Sequence, residues 1–171
     1  MLNAEQLERY AEVLIWGLRT ARTQKYKAGD VVLIRYSKAA CELAEVVYRK
    51  VLEAGLNPVQ RMILTHTMER DFYEKAGAKQ LVFQAPGDKE LFENLCGNIF
   101  IDGPDSITHL SGIDPKRIGA AAKARKPYRD ILDKREEQGL FGWTLCMWPT
   151  VELAKHSGMI LDEYTRQIVK A

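Results

Sequence analysis

Cysteine and histidine are scarce in this sequence, with three of each among 171 residues. The cysteines are Cys41, Cys96 and Cys146, and none belongs to a closely spaced pair of the kind that binds zinc or catalyses disulfide exchange. An odd number of widely separated cysteines also argues against a disulfide framework. We therefore expect three reduced thiols, mostly buried, and a cytoplasmic protein.

Long apolar runs and an excess of charge of one sign are also missing. No apolar stretch approaches the ~20 residues that a membrane-spanning helix needs. The amino terminus opens into a charged amphipathic segment instead of a signal peptide. Lysine and arginine number 25 against 23 aspartates and glutamates, a net charge of +2. So small an excess gives no general attraction to nucleic acid or to an anionic membrane.

A local basic segment runs from Lys116 to Arg129. It could contact nucleic acid, but Tyr128 is its one aromatic residue able to stack on a base. We favour a solvent-exposed helix face and expect no nucleic-acid partner. The carboxylates from Asp130 to Glu137 alternate with basic residues, which is the pattern of intrahelical ion pairs on the same kind of face.

The short motifs that mark common enzyme classes are absent. Neither the dinucleotide-binding nor the P-loop form of a glycine-rich phosphate loop occurs. No serine is flanked by glycines as in a nucleophile elbow. The three histidines, His66, His109 and His156, are far apart and do not form the pattern of a zinc-peptidase helix. We predict no catalytic residue and no metal site within this chain.

Apolar periodicity predicts an alternation of helices and strands. Helices are expected at 7–18, 40–51, 72–76, 90–95 and 114–137, between Thr150 and Gly158, and at 161–169. Strands are expected at 31–34, 59–65, 98–101 and 141–147, whereas 81–83 fits either a strand or a helix tail. Asp114 and Pro115 form the clearest helix start, and Pro127 is expected to kink or break that helix.

This alternation, with its short connections, predicts a single three-layer α/β domain over residues 1–171, built on a mostly parallel sheet of four or five strands. The helix at 40–51 is expected to bury one face, including Tyr48. Trp143 alternates with the apolar residues of the last strand, so we expect it in the core.

Ligands of α/β sheets bind beyond the carboxyl ends of the strands. Six side chains at these positions form a candidate binding edge: Arg35, Ser37, His66, Asp102, Trp148 and Thr150. A cation, an imidazole, hydroxyls and an indole could bind a small molecule in a closed pocket. The competing interpretation has Ser37 and Thr150 capping helices and His66 exposed in a loop, and we favour it.

Two stretches carry a family resemblance. The first is Ile113 to Ile118, with its aspartate-proline helix start, followed by the alanine-rich basic segment 120–127. The second is a block of short motifs whose order and spacing are characteristic: Trp143-Thr144-Leu145, Pro149-Thr150, Leu153-Ala154, Gly158-Met159 and Glu163-Tyr164. Both are similar to the amino-terminal domain of the thermophilic-type metalloaminopeptidases, the family of aminopeptidase T, aminopeptidase S and PepS. The opening, with Tyr10-Ala11 and the strand after Gly29-Asp30, is also similar, whereas Ile160 departs from the expected small polar residue.

The resemblance implies leucyl-type exopeptidase chemistry on peptides with two divalent metals, cobalt, zinc or magnesium, in a homodimer. It places the metal ligands in a carboxy-terminal domain that has no counterpart in this chain. We therefore expect an amino-terminal domain, or a stand-alone relative of it, that is inactive alone and has a structural or substrate-enclosing role. The alternative is a small-molecule-binding α/β module that uses the candidate binding edge.

Overall fold

The computed structural model describes residues 2–170. Over this range the helices are α1 Ala4–Thr20, α2 Cys41–Glu53, α3 His66–Lys75, α4 Ala78–Leu81, α5 Asp88–Asn94, α6 Pro115–Glu137, α7 Val151–His156 and α8 Leu161–Lys170. The strands are β1 Val31–Tyr36, β2 Asn57–Met62, β3 Leu95–Asp102 and β4 Gly142–Met147. No helix in this range is both long enough and apolar enough to cross a bilayer.

The four strands form one parallel sheet in the order β2-β1-β3-β4. Because each parallel connection must return across the sheet, helices cover both faces. This arrangement confirms the expected three-layer α/β domain and its mostly parallel sheet. All four carboxyl ends lie at one edge of the sheet.

The first face of the sheet is covered by α1 and α2. Its inward-pointing residues are Val32, Ile34, Ile99 and Ile101, each fully buried. The predicted apolar stripe of α1 packs against them, since Ala11, Leu14, Ile15 and Leu18 are all buried. Each such aliphatic side chain contributes roughly 1.5–3 kcal/mol when it leaves water, so this layer contains the main core.

The second face is covered only over its amino-end half. There Leu33, Leu95 and Phe141 pack with Leu91 of α5 and Leu132 of α6. A smaller apolar cluster joins α3, α4 and the beginning of α6 beside the sheet. The carboxyl-end half of the second face on β3 and β4 therefore lacks such a core cluster.

Two burial expectations are wrong. Trp143 is 48% exposed, because it lies on the second face of β4, beyond the core cluster around Leu33, Leu95 and Phe141. Tyr48 is 39% exposed although its neighbours Ala44, Val47 and Val51 are buried. In both cases the apolar periodicity is present, but the residue belongs to none of the core clusters.

The longest helix, α6, is continuous through Pro127, so the expected break does not occur. Asp114 accepts a hydrogen bond from the Lys116 N–H and Pro115 is the first helical residue, as expected. The Gln84 side chain donates to the Ala124 carbonyl in the turn before the proline. One hydrogen bond from outside the helix is thus made in the turn where the proline weakens the internal ladder.

The remaining elements differ from expectation mainly at their bounds. α3 begins at His66 and is twice as long as expected. α4 ends at Leu81, so the ambiguous segment 81–83 begins as a helix tail and leaves the helix at Val82. α5 begins at Asp88 itself with Gly87 as its N-cap, because the Asp88 carboxylate pairs with Arg61 instead. β2 ends at Met62, three residues before the predicted end.

Candidate functional site at the carboxyl edge of the sheet

The structure places the six predicted site residues at the same edge but uses them differently. Arg35 lies near the end of β1 and Asp102 ends β3, while Ser37, Trp148 and Thr150 follow β1 and β4. His66 is the first residue of α3, which follows β2. Topology alone explains this common location, because the carboxyl ends of parallel strands share an edge.

Three of the six residues are buried and pack the edge. Ser37 and Trp148 are each 7% exposed and surround Gly103, where a Cβ atom would lie 2.9 Å from the Ser37 Oγ. Thr150 donates to the Pro104 carbonyl at 2.6 Å and accepts the Leu153 N–H, so its predicted cap is present. Ser37 makes no such cap. The middle of the edge is therefore filled by protein.

A histidine pair lies beside this packed centre. The rings of His66 and His109 have centroids 4.2 Å apart. His109 bonds the Glu69 carboxylate through Nε2 at 2.8 Å and faces the Ser106 carbonyl through Nδ1 at 3.1 Å. The His66 Nδ1 contacts the exposed Asp105 carboxylate. His66 is thus half-buried in a cluster on α3, which corrects the expectation of an exposed loop residue.

Sequence reasoning missed three members of this cluster, namely His109, Glu69 and Asp105. The spacing of His66 and Glu69 was a usable signal, because residues three apart share one face of a helix. Thr65 caps that helix by accepting the Met68 N–H. Nothing local relates these positions to the loop that carries Asp105 and His109, since only the tertiary fold brings that loop to α3.

The side chains present do not fit a two-metal centre. Within residues 2–170, no three histidine, cysteine, aspartate or glutamate side chains converge in a way that could hold a metal ion. At the histidine pair, both ring nitrogens of His109 already face protein oxygens. A dinuclear site needs several carboxylates and histidines around a bridging group with an open position for water, so no metal chemistry is derived for this cluster.

The pKa of His66 is lowered from its ordinary value, first by burial and then by the neighbouring His109. The carboxylates of Glu69, Asp102 and Glu152 act in the opposite direction, because they favour the charged imidazole. A lowered folded-state pKa means that the unfolded chain binds the proton more tightly. The resulting contribution to stability is present above pH 6.5, the ordinary pKa of histidine, and is lost as the pH falls below it.

We therefore expect the melting temperature to fall between pH 7 and 5, and to fall less in His66→Gln than in the parent chain. His156→Gln is the matched control, because His156 is more exposed and pairs with Glu152 within α7. Differential scanning calorimetry at constant ionic strength measures both variants. Equal pH slopes for His66→Gln and the parent chain would contradict the assignment.

Arg35 belongs to a cross-sheet row on the second face. The strand register aligns Arg61, Arg35, Phe100 and Leu145. The Arg35 guanidinium lies 5.0 Å from the centre of the Phe100 ring. Partial removal from water, then repulsion by Arg125 and Arg61, lowers the pKa of Arg35. This side chain faces the uncovered half of the second face and is separate from the packed centre of the edge.

The cysteines are free, but only Cys146 is buried, whereas Cys96 is half-buried and Cys41 is exposed. The expectation of mostly buried thiols is therefore wrong for two of the three. Burial raises the pKa of the Cys146 thiol to about 11, so it stays protonated at neutral pH and is a poor nucleophile.

A groove of about 470 Å³ lies between α1 and α8, at the end of β4. Tyr10, Met147, Tyr164 and Ile168 are among its lining residues, and none of the six predicted site residues is. The Tyr10 hydroxyl donates to the Met147 carbonyl. This open apolar groove is thus not the closed polar pocket that the small-molecule hypothesis expects.

Comparison with known proteins gives a family and a fold. The sequence matches the model of the thermophilic metalloprotease (M29) family over residues 3–171. No curated protein sequence matches it. The structure is similar to wild-type AmpT from Thermus thermophilus, with 19% identity and a TM-score of 0.67. The similarity covers 97% of this chain but 42% of the AmpT chain. With nearly its whole length matched by the family model, the chain belongs to the thermophilic metalloprotease (M29) family.

Proposed function

We propose that this chain acts as the amino-terminal domain of a dinuclear-metal aminopeptidase, or as a stand-alone relative of that domain. In this role it helps to enclose peptide substrates and has no peptidase activity alone. The metal-binding catalytic domain, with its two divalent ions, lies outside the 171 residues. A homodimer and a cytoplasmic location, both expected from the sequence, are part of the same proposal.

The observation that carries the proposal is the extent of the structural match. Nearly all of this chain corresponds to less than half of the AmpT chain, which supports the proposal that it is one α/β unit of a larger architecture. The side chains of that unit support the same interpretation. Both ring nitrogens of His109 face protein oxygens, and the Cys146 thiol is buried and protonated.

Small-molecule binding at the carboxyl edge, the alternative function, has less support. Ser37, Trp148 and Thr150 pack against the backbone around Gly103 and Pro104. A ligand at the middle of the edge would have to displace them. Arg35 and His66 remain accessible in part, but they lie in different surroundings, one against Phe100 and the other against His109.

Hydrolysis of a leucine chromogenic amide by the 171-residue chain tests the proposal. We expect no turnover above the buffer rate with added cobalt, zinc or magnesium, because residues 2–170 contain no group of side chains able to hold a metal ion that would activate water. His66→Ala and His109→Ala serve as matched controls for any trace rate. Turnover that a chelator abolishes and that either variant reduces would overturn the proposal and assign chemistry to the histidine pair.

A further inference from the structure

The two outermost strands of the sheet are protected to different degrees. β2 carries Pro58 and Arg61, and Arg61 pairs with Asp88. Proline and charge are two devices by which proteins keep an edge strand from pairing with another chain. β4, whose sequence is GWTLCM, contains neither. Its outer edge is therefore chemically suited to accept a further strand.

The backbone of β4 offers unused hydrogen-bonding groups along this edge. Alternate residues of a parallel strand bond to the same neighbour, and the Trp148 N–H donates to the Asp102 carbonyl on β3. Residues 144 and 146 therefore also face β3, whereas Trp143 and Leu145 direct their backbone groups outward. Among residues 2–170, no other group forms a hydrogen bond with these outward N–H and C=O groups.

The side chains of the same two residues present an apolar surface. Trp143 is 48% and Leu145 is 49% exposed, and both lie on the second face of β4. The strand register places Trp143 beside Asn98 and Leu145 beside Phe100. A strand laid along β4 would bring its own alternate side chains against the indole and the leucine, which is how peptide strands gain specificity when they extend a sheet.

A cation lies at the inner end of this surface. The Arg35 guanidinium rests over Phe100, on the strand adjacent to β4. Within the described residues, Arg35 forms no ion pair, in contrast to its register partner Arg61. Phe100 thus lies between the apolar strip of Trp143 and Leu145 and a cation that forms no ion pair within the described residues. Such a cation complements a carboxylate on an incoming peptide.

We propose that the outer edge of β4 binds an extended, proline-free peptide segment as a fifth strand. The peptide backbone pairs with Trp143 and Leu145, its apolar side chains cover these two residues, and an acidic side chain reaches toward Arg35. This site uses only backbone and side-chain groups of the present chain, so its success or failure is independent of peptidase activity.

Titration of the isotope-labelled 171-residue chain with defined peptides, followed by NMR, tests the proposal. The probe is a blocked peptide of sequence threonine-valine-threonine-glutamate-threonine-valine-threonine. Its glutamate and its two valines lie on the same side of an extended chain. Its counterparts carry glutamine in place of glutamate, or N-methyl groups on alternate amides. We expect the probe to shift the amide signals of Trp143 and Leu145 and to slow their hydrogen exchange. N-methylation should weaken binding about tenfold or more, since it removes backbone hydrogen bonds.

Three variants separate the contribution of the apolar side chain to peptide binding from that of the cation. Leu145→Ser should weaken binding of every peptide several-fold, whereas Ile160→Ser, at a residue 69% exposed elsewhere, should not. Arg35→Gln should weaken the glutamate peptide about threefold to tenfold and leave the glutamine peptide unchanged. Equal affinity of the N-methylated peptide, or no binding at millimolar concentration, would overturn the proposal. Concentration-dependent protection without peptide would also overturn it, because a second copy would then occupy the edge.

Discussion

Replacement of Arg22 by methionine is expected to destabilise the domain by about 3–5 kcal/mol, the cost typical of removing one partner from a buried charged network. The Arg22 side chain is 4% exposed and follows α1. Its guanidinium donates to the Asp30 carboxylate and to four backbone carbonyls, those of Gln24, Lys25, Cys96 and Leu140. Arginine has five N–H donors, and each has an acceptor here.

The size of this effect follows from what the substitution leaves behind. Methionine retains much of the apolar volume, but the Asp30 carboxylate, 18% exposed, loses its cation. The Cys96 carbonyl in β3 and the Leu140 carbonyl before β4 also lose the arginine donor. Arg22→Lys is the matched control, because it keeps the charge but not the planar fork of N–H donors. Its free energy of unfolding should lie between those of Arg22→Met and the parent chain. Urea unfolding measures all three chains, and a loss below 1 kcal/mol in Arg22→Met would contradict the account.

Truncation of Ile99 to alanine is expected to cost about 2–5 kcal/mol in the free energy of unfolding. Ile99 is fully buried in β3, a central strand, and packs on the first face between the sheet and its helices. The loss combines the transfer free energy of the removed methyl and methylene groups with the cavity that remains. A close-packed layer cannot collapse to fill that cavity.

Val13→Ala provides the surface control for Ile99→Ala. Val13 lies on α1 and is 59% exposed, so its truncation should change stability by less than about 0.5 kcal/mol. Urea unfolding curves fitted with a common m-value compare the free energies of unfolding of the two variants with that of the parent chain. Similar effects of both truncations would mean that the first face is loosely packed and would contradict the described core.

The fold was accessible from the sequence because its signals are local. The stripe from Ala11 to Leu18 and the β-branched run at Val31 each follow from one period of apolar residues. The alternation of such segments then restricts the architecture to a parallel sheet covered by helices. The exposure of Trp143 could not be predicted, because a strand has the same alternating pattern whether or not a helix covers its apolar face.

The candidate site was accessible only in part. The order of the elements predicts that Ser37, Asp102 and Thr150 share the carboxyl edge, and the structure has them there. It does not predict that Gly103 admits the Ser37 and Trp148 side chains into the space where a ligand would bind. The histidine pair depends on contacts between residues about forty positions apart, such as Glu69 and His109, and such contacts leave no periodic trace in the sequence.

Metal stoichiometry of the purified chain tests the central claim most directly. Equilibrium dialysis against zinc and cobalt, followed by elemental analysis, reports bound metal without relying on catalysis. We predict less than one tightly bound ion per chain, and the same value for a variant that carries both His66→Ala and His109→Ala. Two tightly bound ions per chain, lost in that variant, would show that these residues form the dinuclear centre and would contradict the account.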